Sequence, residues 1–295
     1  MKRFVGPLLI LLCTVIWGSA FVAQKFGSEH FGPFALTSYR NLLGGAFLFL
    51  FTLRSPRVTR AEALGGTVSG LVLFLAMVAQ QIGIETTTPG VSAFLTANYV
   101  LIVPVIAWLT GRGRSGWSIW VSAAVAIVGS FLLCLSGSDE TIGFGRGESW
   151  TLLCAVLFAV QIMTVDRFAR RVDVVRFSMV QLFAAGLFAI PFVALLPSES
   201  SRLSWAEFVA GLPALAYVGV LSSGIAYTLQ NLGQSRTPPA LAAIIMAMES
   251  VFGAFFGWLV LHDVMTARQL LGCVLVFSAV LFSQGVACVR DTKVL

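Results

Sequence analysis

Two ionisable side chains of this 295-residue chain sit deep inside apolar stretches, Arg40 and Glu249. Glu249 lies about halfway along the stretch between Arg236 and His262, which holds no other charge. A carboxyl group held among Met246, Met248 and Phe252 is pushed by desolvation towards its protonated form, so it could take up and release a proton. A permanently neutral acid, hydrogen-bonded to a neighbouring helix as structural glue, is the plainer alternative, and both readings stand. Arg40 lies some eight residues in from the end of its own stretch, ~10 Å at ~1.5 Å per residue, within snorkelling reach of a surface. It is expected to act as an anchor, or to pair with carbonyls or with Glu249, before it touches a ligand.

Around these two, a layer of neutral polar and aromatic groups recurs inside the apolar stretches: Trp17, Gln24, Gln80, Gln81, Asn98, Tyr99, Gln161, Tyr227, Gln230 and Asn231. Tyr227 and Asn231 are four apart and share a helix face. Such groups can orient a polar ligand while aromatic walls cover its apolar part. The candidate substrate-binding set is Trp17, Gln80, Asn98, Tyr99, Gln161, Tyr227, Asn231 and Glu249. Trp17, Asn98, Tyr227 and Glu249 lead it because they fall near mid-stretch.

The elements that must position them follow from composition. Hydrophobic residues make up 58% of the chain, charged ones only 11%, and the mean hydropathy is +0.91. Such a chain has no polar exterior for water and is an integral membrane protein. Its apolar runs are continuous and about 20 residues long, which selects helices over a barrel. Ten spans are expected, near 6–26, 33–53, 62–84, 89–110, 116–135, 148–168, 174–196, 206–232, 238–261 and 267–288, giving an all-α polytopic fold. Met1-Lys-Arg before the first run resembles a signal peptide, but the apolar run continues past Ser19-Ala-Phe21, so an uncleaved first helix is expected.

Of the nineteen lysines and arginines, Lys25, Arg146, Arg202 and Arg268 fall on one side, Arg40 lies within a span, and the other fourteen share the side of the termini. The positive-inside rule then places both termini in the cytoplasm. It also accounts for the net charge of +6 without any nucleic-acid partner. The five cysteines lie in or beside apolar runs and read as small packing residues, not as disulfides or metal ligands. The chain carries no His-Glu-x-x-His, no Gly-x-Ser-x-Gly and no glycine-rich phosphate loop, so neither a membrane hydrolase nor an ATP-driven pump is expected.

A shift of 149 positions lays spans three to five over spans eight to ten without a gap, matching Gly70 with Gly219, Gln81 with Gln230, Pro89 with Pro238 and Ala93 with Ala242. Five spans per half is an odd number, so the second half must enter the membrane inverted. Inverted repeats with a site near the midplane are a transporter architecture.

Several motifs carry a more specific likeness: Trp17-Gly-Ser-Ala-Phe21, Gly32-Pro33 followed by Arg40, Gln80-Gln-Ile-Gly-Ile84, Thr86-Thr-Thr-Pro-Gly90, Tyr99-Val-Leu-Ile-Val-Pro104 and Met248-Glu-Ser-Val-Phe252. Together they resemble the drug/metabolite transporter superfamily, in its ten-helix branch with two EamA domains. The resemblance implies two repeats, 1–136 and 146–290, and a cavity lined by helices one, three, four, six, eight and nine. Carried over, Trp17, Asn98, Gln161, Tyr227 and Glu249 become its pocket residues. It further implies export or exchange of small metabolites, amino acids foremost, across a bacterial inner membrane, with no cofactor and no metal. The chain departs from the family at His262-Asp263, at Gly111-Arg112 and at Phe158, where the family often carries tryptophan. The expected partners are a small-molecule substrate, the lipid bilayer and, on the coupled reading, protons. The rivals are an uncoupled facilitator and a non-transporting scaffold or receptor, the latter weakened by the absence of any loop large enough to bind a partner.

Overall fold

The computed structural model describes residues 4–53, 57–86, 89–111, 115–134, 145–196, 199, 204–261 and 265–292. Thr87-Thr88, Arg112-Gly-Arg114, the linker at 135–144, His262-Asp263 and the side chains of Lys25 and Cys288 lie outside the described residues, as do several of the charges used to orient the chain.

The apolar runs fold into ten spans, each long and apolar enough to cross a membrane. In order they are α1 (Val5–His30), α2 (Pro33–Thr52), α3 (Arg60–Thr86), α4 (Pro89–Ala97 and Tyr99–Leu109), α5 (Trp117–Cys134), α6 (Arg146–Phe168, ending in a 3-10 turn at Ala169–Arg171), α7 (Val174–Leu195), α8 (Trp205–Ala216, Tyr217–Ala226 and Tyr227–Gln234), α9 (Pro239–Met246 and Met248–Leu261) and α10 (Ala267–Thr292). The protein is therefore a multi-pass membrane protein, all-helical among the described residues. An even number of spans leaves both chain ends on one face. Leu50, Phe51, Leu195, Val274 and Leu281 point outwards and are more than half exposed, as lipid-facing residues should be.

Helix starts are set by local chemistry. Pro33 opens α2 at a position where its missing N–H costs nothing. The Phe34 and Ala35 amides there are taken by the buried Glu199 carboxylate at 3.3 and 3.0 Å. Thr59 and Glu62 form a reciprocal capping pair before α3, with the Thr59 amide donating at 2.7 Å and the Glu62 amide at 3.2 Å.

The packing pairs interchange between halves. The central helices α2 and α7 pack on each other, as do α5 and α10. α3 packs on α6 and α7, while α8 packs on α1 and α2; α4 packs on α6, while α9 packs on α1. Swapping halves returns α2–α7 and α5–α10 to themselves and exchanges the other pairs with one another. Gly70 and Gly219, matched in the sequence, play matching parts: a Cβ on Gly70 would strike the Gln181 carbonyl of α7, and one on Gly219 would meet Leu43 of α2.

Two features were not legible as helix signals. α4 breaks at Asn98 and α9 at Ala247, again 149 positions apart. At each break the ladder tightens by one residue, the Leu101 amide donating to the Asn98 carbonyl at 3.0 Å and the Ser250 amide to the Ala247 carbonyl at 3.3 Å. The middle of α8, Tyr217–Ala226, loosens instead into a π-helix. Such stretches are rare and gather at functional sites.

Candidate functional site

A cavity of about 50 Å³ lies at mid-span between the halves. Trp17 and Gln24 of α1, Arg40 of α2, and Met77 and Gln80 of α3 form part of its wall. Thr96 and Tyr99 of α4 and Phe158, Gln161 and Ile162 of α6 continue it. Ser222, Tyr227 and Gln230 of α8 and Met246 and Glu249 of α9 complete it. The two breaks and the π-helix all fall beside this cavity. The tightened turn at Asn98 precedes Tyr99, the one at Ala247 precedes Glu249, and the π-helix carries Ser222.

The π-helix explains how a guanidinium is tolerated there. Its small residues let α2 approach so closely that a Cβ on Gly44 would lie 2.8 Å from the Gly219 carbonyl oxygen. Arg40, 5% exposed, then meets three acceptors: its Nε donates to Ser223 Oγ at 3.0 Å, Nη1 to Gln24 Oε1 at 3.0 Å and Nη2 to Ser222 Oγ at 2.8 Å. The Ser222 carbonyl in turn accepts from Trp17 Nε1 at 3.2 Å. Trp17 packs edge-on against Tyr227, with ring centroids 5.0 Å apart. A buried charge needs such a full set of partners.

Glu249 is placed differently. It is half-buried, faces the cavity and lies beside the Tyr99 hydroxyl. Neither it nor Arg40 forms an ion pair among the described residues, and Tyr227 stands within electrostatic reach of both. On the α6–α8 wall, Gln230 Nε2 donates to Gln161 Oε1 at 3.3 Å. The arrangement offers a cation, an acid, carboxamides and aromatic faces around one cavity. No group of three or more metal-ligating side chains occurs among the described residues.

Compared with known families, residues 4–135 and 145–284 match the EamA-like transporter family. The chain belongs to that family. Among similar proteins is one called an uncharacterized transporter in Archaeoglobus fulgidus, 27% identical over 281 residues that cover 95% of this chain and 86% of the relative. YdfC of Bacillus subtilis, also called an uncharacterized transporter, is 22% identical over 91% of this chain and 87% of its own. A solved crystal structure, 18% identical, superposes over 98% of this chain and 99% of its own with a TM-score of 0.81, which establishes a shared fold.

Within this EamA-like fold, Trp17, Gln80, Tyr99, Gln161, Tyr227 and Glu249 are brought together around the cavity. Asn98 and Asn231 are not. Asn98 turns its amide back onto the Phe94 and Leu95 carbonyls of its own helix, at 3.2 and 3.0 Å. Asn231 is fully buried between α8 and α7, donating to Ser178 Oγ at 2.9 Å and Gln181 Oε1 at 2.7 Å. Arg40 pairs with side-chain oxygens, in place of the carbonyls or Glu249 expected from sequence, because the π-helix brings two serines to it. Ser222 and Met77 escaped the sequence reading. The run Gly219, Ser222, Ser223, Gly224 inside an otherwise bulky span was the signal for the first. A lone methionine gives none.

Proposed function

We propose that the protein is a secondary transporter that exports small metabolites, amino acids or close relatives, across a bacterial inner membrane by alternating access between its two halves. The observation that carries this reading is the mid-span cavity with Arg40 and Glu249 on separate walls and no ion pair between them. Separate cationic and acidic walls suit a zwitterion, and the Trp17 and Tyr227 rings suit its apolar remainder. At about 50 Å³ the cavity has room for a few waters only, so cargo enters by the parting of helices, which rocking of one half against the other supplies. Binding of proton and cargo in turn at Glu249 couples export to the proton gradient. Arg57, Arg60, Arg170, Arg171, Arg176 and Arg236 gather at the face of the chain ends, which supports a cytoplasmic position for both termini.

The test is flux in proteoliposomes, with labelled amino acids and small hydrophobic cations, for the wild type and Glu249→Gln under an imposed pH gradient. The wild type should accumulate cargo only under the gradient, and the variant should keep exchange but lose uphill flux at least tenfold. Equal behaviour would overturn coupling and favour an uncoupled facilitator, in which the Tyr99 hydroxyl simply holds Glu249 in place. Absence of flux for every compound would sink the transport reading.

A further inference from the structure

Twelve buried side-chain polar atoms find no partner among the described residues, and half of them fall in one region. Gln161 Nε2, Gln230 Oε1, Asn231 Oδ1, Gln181 Nε2 and Gln234 Oε1 belong to the half of α6, α7 and α8 nearest the chain ends, and Thr237 Oγ1 to the turn that follows α8; the other six are spread over α2, α3, α5 and α10. Tyr227, Gln230, Asn231 and Gln234 form one stripe down α8, spaced three and four apart, from the cavity towards the surface. Each side chain of the stripe below Tyr227 donates through its amide nitrogen to at least one partner. Gln230 donates to Gln161, Asn231 to Ser178 and Gln181, and Gln234 Nε2 to the Ile162 carbonyl at 3.3 Å. Two carboxamides sharing a single bond leave one donor and one acceptor over, whichever way each amide is turned. The surface end is closed by Arg170, which is paired with Asp166 at 2.9 Å and donates to the Thr237 carbonyl at 3.2 Å.

The opposite half is built otherwise. Beside a cleft of about 580 Å³ between α1, α8 and α9, lined mostly by apolar side chains such as Val22, Phe26 and Val260, α1, α2, α7 and α8 meet there through Phe31, Ala35, Leu36, Val193, Leu215 and Val218. Wetting such an apolar contact forfeits its burial. Wetting the carboxamide column instead supplies partners to groups that lack them.

We propose that this column is the water-accessible path between the cavity and the face carrying the chain ends: α8 parts from α6 and α7 along it, and Gln230, Asn231, Gln181 and Gln234 line the opened route. It rests on the reading of the cavity as a site that exchanges sides. An orphaned carboxamide in a permanently sealed interface has no compensation; in an interface that opens, each orphan is hydrated in one of the two states.

Thiol accessibility tests this without any cargo. Gln234→Cys and Ser178→Cys are made singly in the full chain, with Ser130→Cys as the control, since Ser130 is equally buried but lies on α5. Membrane-impermeant sulfonatoethyl methanethiosulfonate is applied to right-side-out and inverted vesicles, with the wild type as background. Ser178→Cys is nearly isosteric, so it keeps the test alive if the change at Gln234 prevents folding. Labelling from the face of the chain ends at least tenfold faster than at 130 is the expected result. Rates as slow as at 130 from that face, or labelling from the other face, would overturn the proposal. Rapid labelling in a protein that fails every flux assay would count against the transport reading while the opening of the column stands.

Discussion

α3 and α8 occupy equivalent places in the two halves, yet their middles are built from opposite materials. In α3 the residues are Leu73 and Phe74, buried in a cluster with Met179 and Leu182 of α7. At the matching positions of α8, 149 further on, stand Ser222 and Ser223, in a helix loosened to a π form, and what they meet on α2 is Arg40. The breaks in α4 and α9 repeat the lesson. Their backbone turns match, but Val100 is core in the first half while its counterpart Glu249 faces the cavity. The two halves share helix order and packing partners, and the site's chemistry comes from where they differ.

The sharpest way to break that contrast is to write α3 into α8. Ser222→Leu with Ser223→Phe removes two hydrogen bonds to a buried guanidinium, each worth about 1.5–3 kcal/mol. Two bulky groups would also be forced against α2. The double variant should lose on the order of 3–6 kcal/mol, read as a steep fall in the unfolding midpoint of the detergent-solubilised protein. An unchanged midpoint would mean that the serines do not hold Arg40.

A gentler pair probes the matched glycines. Gly70→Ala drives a methyl into the Gln181 backbone, which has little room to yield, and should cost about 2–3 kcal/mol. Gly219→Ala meets the Leu43 side chain, whose Cδ2 can turn away although its Cβ at 3.0 Å cannot, and should cost about 1–2 kcal/mol. Equal losses would show that α8 packs as rigidly against α2 as α3 does against α7.

Much of this was legible in the sequence. Apolar runs separated by turn residues specify ten helices, because in a membrane each span must satisfy its own backbone. The mid-span polar residues pointed to the cavity for the same reason that they were conspicuous: a polar group in lipid needs an inward destination. Carboxamide direction was not legible. Asn98 and Gln80 are both mid-span amides, and only the tightened turn at Asn98 decides that one bonds its own helix while the other reaches the cavity. Nor was the π-helix, whose small residues meet Gly44 only across the bundle.

The smallest expected effect bears on Asn98 itself. Its counterpart at the break in α9 is Ala247, which makes the same turn with no side-chain help: the backbone angles are φ −61°, ψ −14° at Asn98 and φ −58°, ψ −18° at Ala247. If the break belongs to the scaffold, Asn98→Ala removes only two intrahelical bonds to carbonyls that have other backbone donors nearby. The expected loss is under about 1 kcal/mol, in line with polar contacts inside helical membrane proteins, and flux should be unchanged. A large fall in flux at unaltered stability would instead make Asn98 a cargo contact in the open state, with its amide swinging from its own helix to the cavity as the halves move.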